Sequence, residues 1–252
     1  MKMPLQVEVS AQAAPARAAP PVRERGSSAD RRFQLGMAIA FLLTALCGFG
    51  RSYYLRPLLH AAPLSPLLHV HAALFSAWLL LLLTQTAFIA AARVDLHRRL
   101  GIGGLLLAVA MVPAGFSSAI HSARVGVTAV GKNPMDLLVF QLGALLLFAG
   151  LVAAALVLRR RPDYHRRLIL LATVSIIPPA IARLPFVDFR PPLAVALSLS
   201  FVVAGVIHDI RTRGRVHPAY VWGGLTLIAS GPLRFLVGQT SAWQSFAQFL
   251  VS

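Results

Sequence analysis

Seven apolar runs, separated by short bursts of arginine, constrain this chain more than any other feature. They fall at about 34–50, 67–92, 101–122, 136–158, 168–187, 192–209 and 218–237. A helix that crosses the hydrocarbon of a bilayer needs about 20 mostly apolar residues, and most of these runs approach or exceed that length. The second contains the unbroken stretch Trp78 to Leu83. No segment alternates with the period of two that strands require, and outer-membrane barrels lack long continuous apolar runs. The pattern predicts an all-α, polytopic transmembrane bundle of about seven helices.

Composition agrees. Of the 252 residues, 57% are hydrophobic and only 13% charged, against about 25% charged in soluble domains. That excludes a disordered chain and a soluble nucleotide-binding enzyme, and the single Cys47 excludes a disulfide scaffold. The 24 basic and 8 acidic residues leave a net charge of +16. On a soluble domain such an excess points to nucleic acid, but here the arginines sit between apolar runs, as topology signals do. The partner expected from them is the lipid bilayer, not nucleic acid.

Three regions follow. Residues 1–32 are rich in Ala, Pro and Arg and read as a disordered basic tail without the apolar core of a cleavable signal. An organelle transit peptide is the other reading of that tail. Residues 33–238 form the bundle. In 239–252, Trp243, Phe246, Phe249 and Leu250 fall near helical spacing, which predicts an amphipathic segment lying in the interface. With seven helices, 17 basic residues share the side of the tail and 7 lie on the other. The positive-inside rule then places the N-terminus in the cytoplasm and the C-terminus in the periplasm of a bacterial inner membrane.

The cytoplasmic side carries a repeat. Residues Arg93 to Leu100 and Arg161 to Leu168 share Arg-x-Asp-x-His-Arg-Arg-Leu at an offset of 68 residues, matching at six of eight positions. Each copy opens an outward-running helix, which implies a parallel repeat of helix pairs. Asp95 and Asp163 suit a helix N-terminus. His97, Arg98, Arg99, His165, Arg166 and Arg167 read as contacts to anionic lipid headgroups, with metal, haem propionate or phosphate binding by the two histidines as the sharper alternative.

The periplasmic half collects His69 and His71 at the start of the second helix, His121 at the end of the third, and Arg183 and Arg234. Ionisable residues in a membrane are costly and point to function. Several chemistries fit this layer. His71 and His121 suit axial ligation of haem b, with Arg183 as electrostatic partner. His69, His71 and His121 as neutral imidazoles suit zinc or copper. The histidines and arginines together suit an anionic substrate or lipid. Interfacial histidines with snorkelling arginines would need no ligand at all. The functions that follow are a haem- or metal-binding oxidoreductase subunit, or a transporter or accessory protein that binds an anion or lipid without catalysis.

Two stretches carry a resemblance. The His-x-His segment from His69, through the helix with Gln85, to Leu96-His97-Arg98 and Gly101 resembles a family of uncharacterised bacterial polytopic membrane proteins. Their histidine-bearing helix ends in a Gln before a basic Leu-His-Arg-x-x-Gly loop. Asp163 to Pro185 and Arg211 to Arg234 look like them as well. The resemblance implies a seven-helix membrane fold and no named activity. A more distant similarity, to small b-type cytochromes, implies haem as well.

Overall fold

The computed structural model describes residues 28–127 and 133–252. Those residues form nine α-helices and no strand: α1 Ser28–Phe49, α2 Pro66–Ala90, α3 Val94–Arg124, α4 Pro134–Val157, α5 Pro162–Ile176, α6 Pro178–Ala182, α7 Pro191–Arg213, α8 Pro218–Gly238 and α9 Ser241–Val251. Helix starts follow from local chemistry. Proline occupies the first positions of α2, α4, α5, α6, α7 and α8, where its missing N–H is no loss. Asn133, His217 and Thr240 cap α4, α8 and α9 by accepting a backbone N–H. Gly214, at φ 70°, ends α7 in the left-handed conformation.

Among the described residues six helices, those beginning at residues 28, 66, 94, 134, 192 and 218, are long and apolar enough to cross a membrane. Many of their outward side chains are bare, among them Leu146 at 74% and Val157 at 81% exposure. Such a belt is unsuited to water and suited to lipid. The chain is a multi-pass membrane protein by this criterion.

The fifth apolar run does not form one spanning helix. Pro178 and Pro179 remove two backbone donors, and the run divides into α5 and the five-residue α6. Pro232, by contrast, is accommodated inside a continuous α8. The expected tail is also shorter than the composition implies. Residues 28–32 are the first turns of α1, and Asp30 is buried there at 3% exposure. The rest of the expected tail, residues 1–27, lies outside the described residues.

α5 stands at the centre. It packs on α4 most extensively and also touches α1, α7 and α8. From Leu168 to Ser175 all but one of its residues are buried. Trp78 on α2 reaches it through a buried hydrogen bond from Nε1 to Thr173 Oγ1, 3.1 Å long, and meets the Phe148 ring of α4 edge to face. α6 is held against α1 by Gly48, whose missing side chain leaves room for the Ala180 carbonyl. A Cβ at position 48 would sit 2.0 Å from that oxygen.

Because the clash would be with backbone, Gly48→Ala should destabilise the protein by more than the 1–3 kcal/mol typical of overpacking. Thermal unfolding in detergent would show it as a lowered midpoint. Gly36→Ala, at a site with nothing within 4 Å, should leave the midpoint unchanged or raise it slightly.

Candidate functional site

The helices bring two very different polar layers to the two ends of the bundle. One end gathers the starts of α1, α3, α5 and α8 and the ends of α2, α4 and α7. It holds both copies of the repeated motif, and the copies are used differently. In the first, Arg98 and Arg99 are exposed and Asp95 makes only a loose, exposed pair with Arg93. In the second, Arg167 is 2% exposed and faces inward.

Arg167 grips Asp209 of α7 through two donors, Nε to Oδ2 at 3.0 Å and Nη2 to Oδ1. Asp209, fully buried, also accepts from Arg213 Nη1 at 3.1 Å and from the backbone N–H of His217 at 3.2 Å. Asp30 on α1 accepts from Arg213 Nη2 at 2.6 Å and His208 Nε2 at 2.8 Å, with Arg166 Nη1 3.2 Å away. Asp163 binds Arg166 and Arg167 instead of capping α5. Three carboxylates and three guanidinium groups thus join in one network across α1, α5 and α7. Buried charges require this degree of pairing.

Electrostatics around the network are consistent with that geometry. Burial pulls the Arg166 guanidinium below its usual value, with Arg167 adding to the effect, while Asp30 and Asp163 resist it. Burial opposes the charge on Arg167 too, but its bonds to Asp209 outweigh that and raise it. His217 is pushed down by burial and then by Arg167. A neutral ring suits its role, because Nδ1 must accept from Ala219 N–H to cap α8.

The expectation that Arg166 and Arg167 reach lipid headgroups is therefore corrected, since both are spent on carboxylates inside the bundle. Sequence reasoning places His208 and Arg213 at the cytoplasmic edge without a role for them, and does not single out Asp30 or Asp209. A signal existed in Asp209, an acid at the end of an apolar run four residues before Arg213, since acids are rare there.

At the other end the expected His/Arg layer does not converge. His69 Nδ1 pairs with Tyr53 Oη at 3.2 Å, beside the π-helical turn Gly50–Tyr54 that ends α1. The His71 ring stacks on Phe75 and faces the Ala114 backbone, with Nδ1 buried and unpartnered. Ala114 lies seven residues before His121 on α3, or about 10 Å along the axis. His121 instead lines a shallow groove of about 370 Å³ with Ser117, Arg124, Leu67 of α2 and Leu250 of α9. The three histidines have three separate environments. Among the described residues no group of three or more His, Cys, Asp or Glu is placed to hold a metal ion.

The two arginines of this layer are also apart. Arg183 donates to the Pro179 carbonyl at 2.7 Å and lies against the rings of Phe49 and Phe189. Arg234 lies across α4 and α8. Its Nε and Nη2 donate to the carbonyl and hydroxyl of Ser230, and Nη1 donates to the Phe140 carbonyl at 2.9 Å. Its stem fills the space left by Gly143, where a Cβ would lie 2.2 Å from Arg234 Cδ. Neither arginine has a carboxylate within ion-pair range among the described residues.

Below Arg234 runs a groove of about 490 Å³ between α4 and α8. Its walls are Val139, Leu142, Leu146, Leu147, Leu151, Leu233 and Val237, with Trp243 of α9 at one end. Gly150 leaves its floor open, with nothing within 4 Å of a would-be side chain.

Removing one partner of the buried pair should be costly. Asp209→Ala removes the buried bidentate partner of Arg167, leaving it only the half-exposed Asp163, and should destabilise by about 3–5 kcal/mol, read as a lowered unfolding midpoint in detergent. Asp209→Leu combined with Arg167→Met should recover much of that loss, because no buried charge is left on α5 at that position. A double variant no better than the single one would show that the pair is more than an ion pair.

No protein-family model, curated protein or solved structure matches this chain.

Proposed function

We propose that this multi-pass membrane protein binds an anionic membrane lipid, with its phosphate at Arg234 and an acyl chain in the groove between α4 and α8. The observation that carries the proposal is the Arg234 guanidinium, which meets only neutral acceptors at the head of an apolar groove. A guanidinium has five N–H donors, and three are in use here, so two remain for a ligand anion. Arg234 is four residues from the end of α8, about 6 Å along its axis, and Trp243 lines the same groove. Those positions suit the headgroup level of a bilayer. The groove volume is in the range of small-ligand sites, roughly 300–1,000 Å³.

This is the binding alternative and involves no catalysis. Electron transfer through His71 and His121 has no part in it, because His71 of α2 lies level with Ala114, about two turns of α3 from His121. The same proposal places the arginine-rich end in the cytoplasm of a bacterial inner membrane, with α9 and the groove head on the periplasmic side. The excess of basic residues at that end supports this.

Lipid retention would test the site. Protein purified in detergent and exposed to phosphatidylglycerol or phosphatidylcholine should keep the anionic lipid preferentially in native mass spectrometry. Arg234→Gln should weaken retention about fivefold, in line with ~1 kcal/mol per basic residue at an anionic surface. Gly150→Leu should block the chain without touching the charge. Equal retention of both lipids, or indifference to both substitutions, would defeat the assignment.

Orientation has its own test. A cysteine in place of Ser252 should react with a membrane-impermeant maleimide in intact cells, and one in place of Arg160 should react only after lysis. The reverse pattern would invert the topology.

A further inference from the structure

The end opposite the lipid groove contains a pair of rings that the ion network does not use. His97, at the start of α3, and His165, at the start of α5, are the histidines of the two motif copies. Their ring centroids are 6.4 Å apart and their planes cross at 83°. Each ring is held by a backbone carbonyl at the end of a neighbouring helix. His165 Nδ1 donates to the Ala155 carbonyl of α4 at 2.8 Å. His97 faces the Gln85 carbonyl of α2. Each ring therefore keeps one nitrogen outside these contacts, Nε2 on His165 and Nδ1 on His97.

His97 Nδ1 is buried and makes no hydrogen bond, and so is the amide oxygen of Gln85, Oε1. Two buried lone pairs without donors are an unusual expense in a folded protein. Gly101 lies next to this amide, and even a methyl group there would come within 3.8 Å of Gln85 Nε2. The arginines that follow His97 in sequence, Arg98 and Arg99, are exposed and carry their charge outward.

We infer that His97, His165 and Gln85 form a binding site for a divalent transition-metal ion of the zinc class. The ligands are His97 Nδ1, His165 Nε2 and Gln85 Oε1, and water completes the shell. The arrangement has the outer-shell form of metal-bound histidines, in which the second ring nitrogen donates to a carbonyl that sets the ring's orientation. At an ordinary Zn–N distance of about 2.0–2.1 Å, two imidazoles on one tetrahedral ion have centroids about 5 Å apart, so the 6.4 Å between these rings closes by about 1 Å when the ion binds. The three ligands come from α2, α3 and α5, so the ion would tie the two copies of the repeat together. This site is independent of the lipid groove, and either can fail without the other.

The test uses full-length protein purified in detergent, stripped with a chelator and dialysed against zinc alone. One equivalent of zinc should bind. His97→Ala and His165→Ala should each weaken binding by at least a hundredfold, and Gln85→Ala should weaken it about tenfold. His69→Ala, at the other end of the bundle, should bind as the parent does. Absence of saturable binding, or full binding by a variant lacking both His97 and His165, overturns the site. A second measurement does not depend on how the variants fold. With one equivalent of copper(II), the parent protein should give an electron paramagnetic resonance spectrum with hyperfine coupling to two imidazole nitrogens, and a spectrum without nitrogen coupling also overturns the site.

Discussion

The pairing of Arg167 with Asp209 is the constraint on which the arrangement of helices depends. Two charges with almost no exposure are tolerable only if every donor and lone pair finds a partner. Meeting that condition places α5 and α7 at a fixed register. Asp209 also takes the backbone N–H of His217, which sets the start of α8, and shares Arg213 with Asp30, which draws in the first turn of α1. Hydrophobic packing would allow these helices to slide by a turn at modest expense. A shared set of carboxylates and guanidinium groups does not, because a shift of one turn would strand a charge.

The two ends of the bundle divide their charges unequally. Asp30, Asp163 and Asp209 are all committed to the arginine-rich end. At the other end Asp136 accepts from the Gln244 amide, and Arg183 and Arg234 are left with carbonyls, a hydroxyl and aromatic rings. The first arrangement pairs its charges across helices. The second leaves both arginines without a carboxylate within ion-pair range among the described residues.

Much of the architecture was legible in the sequence. Long apolar runs signal spanning helices because lipid leaves the backbone few alternatives, and α2, α3, α4, α7 and α8 lie close to where the runs place them. The amphipathic spacing from Trp243 to Leu250 likewise falls within α9. What was not legible depended on partners distant in the chain. Arg98–Arg99 and Arg166–Arg167 have the same letters in the same motif, and only the presence of Asp30 and Asp209 across the bundle turns the second pair inward. Asp30 sits in a polar, arginine-rich stretch, so nothing local marks it as the start of a buried turn. The histidines of the expected cofactor layer share a depth in a linear map of the chain, but the pairing of α2 with α3 separates them by about two turns.

The divided fifth segment has a consequence for the protein's relation to its bilayer. A helix that faces lipid must match the thickness of the hydrocarbon, or tilt, or deform the membrane around it. α5 is 15 residues long, about 22 Å, and would be too short alone. It is surrounded by α1, α4, α7 and α8, so its length is matched to protein and not to acyl chains. The break at Pro178 and Pro179 is thus free of any mismatch penalty. The outer helices carry the hydrophobic span, and bilayers of different thickness would act on them and not on the central post.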